Sequence, residues 1–520
     1  RHLLSAGQFE ANAWRNVLFR VKYPTAAPTV TSCSSDAFAN RPLQFVSVLA
    51  RDANRTTAGT TRTLNNTSNP GTGTVHNAGR PFRIDATAQN GAGTPATTTL
   101  YSPAAGQPVV ILSQCGAGAV CPAALGTLTP GAWSAAAGVI TTSTASYGDV
   151  GAFSLVLQDQ TFSSVDNGDG TATSVRYISS APVTAGRFVP DHFTLSATSL
   201  APRTDIGACA GSSFTYMDER MNLGFTLTAR EAGGAVTPGY SGATLGALVL
   251  NSAASYNFGA IDAAAPTPLT ARLDLGMIPG IAATWAAGTT GAITAPIAVS
   301  RAAAGPDGPY GTLRIGIAPS DPDSVTLLGA ALNLDADNDA TPERAQVGPA
   351  TAVRFGRLVL QSLYGPSNRD LPVTLEAQYW DGTSPTPGFT RNTADSCTPF
   401  VRSDFALAFA GGANLVACET AMQEANLTLA SGRATITMAS PGAGNEGTVR
   451  LSANLGSAGG DHCPAIGAPG SELPASDAGK AYLLGKWDDG AAYDDKPSAS
   501  AGFGLFGSQP KNFIFLRENY

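Results

Sequence analysis

Short stretches in which apolar residues take every second position recur along the chain. In Asn222 to Ala229, Leu223, Phe225, Leu227 and Ala229 fall on one side of an extended backbone. Val373, Leu375, Ala377 and Tyr379 repeat the arrangement, as do Phe153, Leu155 and Leu157. Helical periodicity is not sustained, because few windows of eleven residues escape Gly, Pro or clusters of Ser and Thr. Alternating runs joined by Gly- and Asp-rich turns predict an all-β protein of tandem immunoglobulin-like antiparallel β-sandwich modules.

With 520 residues the chain is long enough for about three domains. Two turns mark boundaries: the Pro-Asp turn in GRFVPDHF (Gly186 to Phe193) and the Gly-Pro turn in VGPATAVRFGRL (Val347 to Leu358). The expected modules are 28–190, 191–352 and 353–520, with 1–27 as the tail of a preceding unit or a linker. The Thr-, Asn- and Gly-rich stretch Arg55 to Asn77 reads as an exposed loop or hairpin tip, or equally as a disordered insert.

Composition narrows the function. Charged residues make up 13% of the chain, against about 25% in soluble globular proteins, a bias that suits exported β-rich modules. A net charge of −7 and no Lys/Arg cluster argue against nucleic acid as a partner. No stretch approaches the roughly 18 apolar residues of a membrane helix, so membrane insertion is not expected. Residues Arg1 to Arg20 lack the pattern of an export signal, so a mature chain or a fragment is expected.

Seven cysteines (33, 115, 121, 209, 397, 418 and 463) contain no CxxC, and the four histidines lack zinc spacing, so disulfides formed outside the cytoplasm are expected. Cys115 and Cys121 bracket a Gly-Ala loop like a hairpin staple. Cys397 and Cys418 enclose about 20 residues, a closure that contributes about 3 kcal/mol where geometry allows. The pairing of Cys33, Cys209 and Cys463 stays open, and the odd count leaves one thiol free or its partner missing.

Asp-rich loops carry the most distinctive local chemistry. Asp335, Asp337 and Asp339 alternate in DADND, Asp488, Asp489, Asp494 and Asp495 flank a turn in WDDGAAYDD, and DNGDG spans Asp166 to Gly170. Calcium takes six to eight hard oxygens, so all three loops are candidate calcium sites, the first two sets ahead of DNGDG, although none completes an EF-hand loop. The competing reading is that Asp, Asn and Gly simply form turns. No nucleophile elbow, metalloprotease, P-loop or dinucleotide motif occurs in a suitable context, so no catalytic residue is expected. Asp191 and His192 are neighbours, and on a strand they would point to opposite faces. Trp380, which alternates away from the apolar face of Val373 to Tyr379, is the candidate ligand or partner surface.

Several phrases in order resemble the MshQ family, large proteins associated with the mannose-sensitive haemagglutinin (MSHA) type IV pilus. They are CSSDAFANRP (Cys33 to Pro42), GRFVPDHF, FTYMDERMNLGFTLTAR (Phe214 to Arg230), GPDGPYGTLRIGIAPSDPDSV (Gly305 to Val325), RFGRLVLQSLYG (Arg354 to Gly365), LEAQYWDG (Leu375 to Gly382), NTADSCTPF (Asn392 to Phe400), LVACET and a terminal IFLRENY. The resemblance implies an extracellular, pilus- or cell-surface-associated protein with no catalytic residues to carry over, and further domains upstream. The expected function is a structural or adhesive stalk or tip, its partners pilus or other surface proteins. A carbohydrate-binding module with glycan partners is one alternative, and a self-assembling filament or sheath subunit is the other.

Overall fold

The structure is a computed structural model and describes residues 11–52, 61–67, 74–116, 120–122, 124–250, 252–276, 278, 285–410, 414–465, 467–490 and 492–504. Parts of the Arg55 to Asn77 stretch, the first ten residues and the terminal IFLRENY lie outside the described residues. Strands dominate, and the described helices are single turns. No described helix is long and apolar enough to cross a membrane.

Three hydrophobic cores follow one another along the chain. In the first, the antiparallel strands Gln44–Asp52, Phe82–Gln89 and Val139–Tyr147 belong to the same sheet as Gly151–Asp159, Val109–Ser113 and Val183–Val189. The short strand Ile178–Ser180 joins the halves, pairing parallel with Gln44–Asp52 and antiparallel with Gly151–Asp159. Phe45, Ile84 and Ile140 from one half thereby share a core with Phe153, Leu155, Leu157 and Phe188 from the other. Ala13 joins this core, and Trp14–Val17 pairs with Phe38–Asn40.

The second core fills a sandwich. One sheet holds His192–Ala201, Met221–Arg230, Ile293–Val299 and Leu273–Asp274, and the other is built on Phe214–Tyr216, Thr351–Arg354, Tyr310–Ile317 and Gly259–Asp262. Met221–Arg230 buries every second residue, as the alternation in the sequence predicts. The third sandwich packs Gly356–Leu360, Leu371–Asp381, Gly388–Arg391 and Arg433–Met438 over Leu363–Gly365, Ser498–Phe503, Gly447–Ala453 and Phe405–Phe409.

Both sandwiches use the same topological device. The chain enters in one sheet and crosses to the other as a three-residue strand, which pairs parallel with the last strand of the unit. Phe214–Tyr216 pairs in this way with Thr351–Arg354, and Leu363–Gly365 with Ser498–Phe503. This ties the start of each sandwich to its end, as in immunoglobulin-like folds. At the first of these closures, just before Thr351–Arg354, Gly348 adopts φ +70°, and a Cβ there would meet the Leu200 backbone nitrogen at 2.5 Å, so the turn back onto the first strand requires glycine.

The cores are not separated by solvent. Val150 and Val189 pack in the second core, Phe214 and Tyr216 in the third, and Trp380, Phe389 and Tyr493 of the third unit pack against the second core.

Candidate functional site

Burying a charge is costly unless it is paired, and the chain spends several of its few charges where the units meet. Arg203, fully buried, follows the strand His192–Ala201 and reaches into the third sandwich. Its Nε donates to Glu219 Oε1 and Oε2 at 3.0 and 3.1 Å, Nη1 to Asp395 Oδ1 at 3.1 Å, and Nη2 to Thr398 Oγ1 at 2.7 Å. The guanidinium also lies over the rings of Phe214 and Tyr216. Tyr216 Oη donates to Asp395 Oδ2 at 2.9 Å and accepts from Asn392 Nδ2 at 2.7 Å. Burial works against the Arg203 charge, but Glu219 and Asp395 overcome it and raise its pKa. A planar fork with five donors satisfies this site; a lysine would not.

A disulfide crosses the same junction. Cys209, at the end of the single turn Gly207–Cys209, is bonded to Cys397, 188 positions away, and Arg203 Nη1 lies 3.3 Å from the Cys397 sulfur. Arg301 adds a third fastening. It donates to the carbonyls of Gly356 (2.7 Å), Leu484 (3.2 Å), Tyr493 (3.2 Å) and Tyr482, over the ring of Phe355, while burial pushes its pKa down to about 10.

The junction of the first and second units is polar as well. Buried Arg187 pairs with Asp323, Asp149 Oδ1 accepts from Gly239 N at 2.8 Å, and Asn77 and Arg80 both donate to Asp191. Asp191 also lies 3.1 Å from His192 Nδ1, contrary to the expectation that these neighbours diverge. The physical reason is that the strand begins at His192, leaving Asp191 in the preceding turn, where strand alternation does not apply. Hydrogen bonds from Arg80, Asn77 and His192 hold the Asp191 carboxyl low against its burial.

The cysteine expectations divide. Cys115 and Cys121 are bonded to each other, but Cys397 and Cys418 are not: Cys397 joins Cys209, and Cys418 joins Cys463. Closeness in sequence decides a pairing only when both residues sit on one local turn. Cys397 stands beside the Arg203 cluster, and Cys418 is buried in the third core with Cys463. Cys33 is free and exposed.

In the DADND loop, Asp335 and Asp337 converge, and their third member is Glu343 rather than Asp339, with ligand oxygens within 4.8 Å of one another. Asp335 accepts the backbone N–H groups of Asn338 (2.7 Å), Asp339 (3.2 Å) and Ala340 (2.7 Å), which hold its carboxyl low against a desolvation cost. Glu343 accepts from Ala336 N and pairs with Arg344, and Asp339 accepts from Thr341 N at 2.8 Å. No second trio of potential ligands converges in this way among the described residues. In the other loop, Asp495 instead accepts from Trp487 N (2.7 Å) and Asp488 N (3.1 Å), and Asp488 Oδ1 accepts from Gly490 N. Asp489 and Asp494 are exposed. In DNGDG, Asp166 accepts from Ala39 N at 3.1 Å and joins distant segments.

Trp380 is half-buried, packed edge-on against Phe389 at 5.4 Å and against the second core. Alternation places it correctly, away from Val373 and Leu375, but the second unit covers that side. Sequence reasoning missed Arg203, Glu219 and Asp395 as a set, although two of the resemblance phrases, FTYMDER and NTADSCTPF, hold Glu219, Asp395 and Cys397.

No curated protein matches the chain. Residues 149–346 match the model of DUF6701, third domain, and residues 354–519 that of DUF6701, fourth domain. The two matches meet at the junction that Arg203 and the Cys209–Cys397 bond fasten, and together they cover more than half of the chain. The chain therefore belongs to the DUF6701 family and carries its third and fourth domains in order.

Proposed function

We propose that this chain is a non-catalytic structural and adhesive element of a bacterial cell surface or pilus, a stiff stalk or tip acting outside the cytoplasm. The observation that carries this reading is the fastening of the two sandwiches by Cys209–Cys397 together with the buried Arg203 cluster. Interfaces between domains of one chain are by default mobile, and a covalent bond beside a buried ion cluster removes that freedom. Stiffness across a junction serves a protein that must present or transmit force. Three disulfides fit an oxidising compartment, and the phrases that resemble the MshQ family favour a pilus-associated setting.

Under the same reading the acidic turn around Asp335, Asp337 and Glu343 takes a cation, calcium by its oxygen donors. Chelation is then expected to increase protease cleavage at this turn, and an unchanged digest removes the metal.

The deciding experiment is immunogold labelling of cells producing the full-length protein, imaged by electron microscopy. Label along fibres or at their tips is expected. An even label over the envelope would favour a coat or sheath subunit, and label confined to the cytoplasm would overturn the proposal.

A further inference from the structure

The chain from Trp14 to Asn40 forms a β-ribbon that is held at its base and bare at its tip. At the base, Trp14–Val17 pairs with Phe38–Asn40, and Arg15 fastens the pair to the first unit, its guanidinium 4.4 Å over the Phe162 ring and its Nη2 donating to the Ser102 carbonyl at 3.0 Å. Phe19 N donates to Ser34 Oγ at 3.0 Å, and Ser34 N to the Phe19 carbonyl at 2.8 Å. Beyond them Arg20–Tyr23 pairs with Val30–Cys33 as a sheet of two strands only, and residues 18–33 are exposed without interruption. Cross-strand partners share a side, so Val21, Ser32, Tyr23 and Val30 form one face and Arg20, Cys33, Lys22 and Thr31 the other. The first face is apolar and bare: Val21 is 65%, Tyr23 73% and Val30 59% exposed. A two-stranded sheet is marginal by itself and gains its stability from what packs on it.

We propose that this apolar face is the docking surface for a folded domain lying ahead of the ribbon in the same protein. Three observations select that occupant. The matched domains are the third and fourth of their family and begin at residue 149, inside the first core; residues 11–148 supply the rest of that core and account for at most one earlier domain, which leaves another ahead of it in the family's order. The units already joined in this chain cover one another in the same manner, Val150 and Val189 entering the second core and Trp380 and Phe389 lying against it. The face is also small. Strands of four residues, roughly 13 Å long and about 5 Å apart, offer far less than the roughly 800 Å² that a free partner or a second copy buries on each side, whereas a tethered domain meets the face at an effective concentration of about 1 mM. A membrane fits poorly, because Arg20 and Lys22 stand on the opposite face and would point away from the lipid phosphates while Val21 and Tyr23 met the acyl chains.

The test is hydrogen–deuterium exchange, read by mass spectrometry on peptides covering residues 18–34, in the full-length protein and in the 520-residue chain. Exchange about tenfold slower in the full-length protein is expected. Val21→Asp with Tyr23→Asp in the full-length protein is expected to restore fast exchange. In the 520-residue chain the same pair is expected to leave the melting temperature unchanged, since both side chains are exposed there. Equal exchange in the two proteins would overturn the proposal, as would a full-length protein with no folded domain ahead of residue 11. Slow exchange in the 520-residue chain at high concentration only would assign the face to a second copy, and slowing by anionic vesicles alone would assign it to a lipid surface; either result overturns it too. None of these outcomes bears on where the protein sits on the cell, so the stalk reading is judged separately.

Discussion

Arg203 is the residue on which the junction between the two family domains turns. Removing its guanidinium would leave Glu219 and Asp395 buried without their counter-charge, a change that typically costs 3–5 kcal/mol, about as much as the most damaging core truncations. Arg203→Met is therefore expected to lower the urea midpoint sharply, and Arg203→Lys to recover little, because an ammonium cannot bond Glu219, Asp395 and Thr398 in one plane. A midpoint within experimental error of the parent would show that the cluster does not hold the units together. Asp321 offers a second test at this scale. It accepts from Tyr240 Oη at 3.0 Å and from the N–H groups of Asp323 and Val325, yet burial raises its pKa from 3.8 to about 7. Between those values the folded chain keeps a proton that the unfolded chain has released. The contribution of this group is thus complete below pH 3.8 and is lost as the pH rises through 7. Asp321→Asn is expected to flatten the fall in stability between pH 5 and pH 7.5, measured as the change in urea midpoint, and an unaltered slope would assign that fall to other groups.

At the scale of elements, alternation was the most informative signal. Leu223, Phe225, Leu227 and Ala229 are all buried on the one strand predicted for them, as are Phe153, Leu155 and Leu157. The signal works because a sandwich strand has one wet side and one dry side. It fails where a second unit dries the wet side, which is why Trp380 reads as exposed yet packs, while Trp487, in a loop with no alternation, is open. The staple Cys115–Cys121 was legible because six positions span one turn; the Arg203 cluster was not, since Asp395 is 192 positions from its partner and no local pattern encodes that distance. Gly348 tests the sandwich closure directly. Alanine would have to hold a left-handed backbone and push against Leu200, so Gly348→Ala is expected to lose more than about 1 kcal/mol, read as a lower melting temperature. An unchanged melting temperature would mean that the turn relaxes freely.

For the whole molecule, the Cys209–Cys397 bond restricts the unfolded chain as well as the folded one. Closing 188 residues corresponds to about 5 kcal/mol in the chain-entropy account, an upper figure because unfolded chains keep some structure. The double variant Cys209→Ser with Cys397→Ser is expected to unfold at lower denaturant. Its small-angle scattering profile is expected to broaden toward longer dimensions as the sandwiches gain freedom about the Arg203 cluster. An identical profile would show that the buried cluster alone holds the two units in place.

The three bonds have a bearing on how the chain is made. With Cys33 set aside, they join cysteines in their order along the sequence: 115 to 121, 209 to 397, 418 to 463. An oxidase acting on a chain that emerges amino end first would reach this pattern simply by pairing each thiol with the next to arrive. Cys33 is exposed and precedes the other six cysteines along this sequence. If it captures Cys115, every later partnership slips by one place, and the register then joins Cys121 to Cys209 and Cys397 to Cys418. Thiol exchange can undo such a slip, but slowly. Under the proposed extracytoplasmic setting, Cys33→Ser is therefore expected to raise the yield of correctly oxidised chain where no isomerase acts, counted by peptide mapping. In this account the unbonded thiol acts as a toll on biosynthesis, set by when it appears rather than by where it ends up.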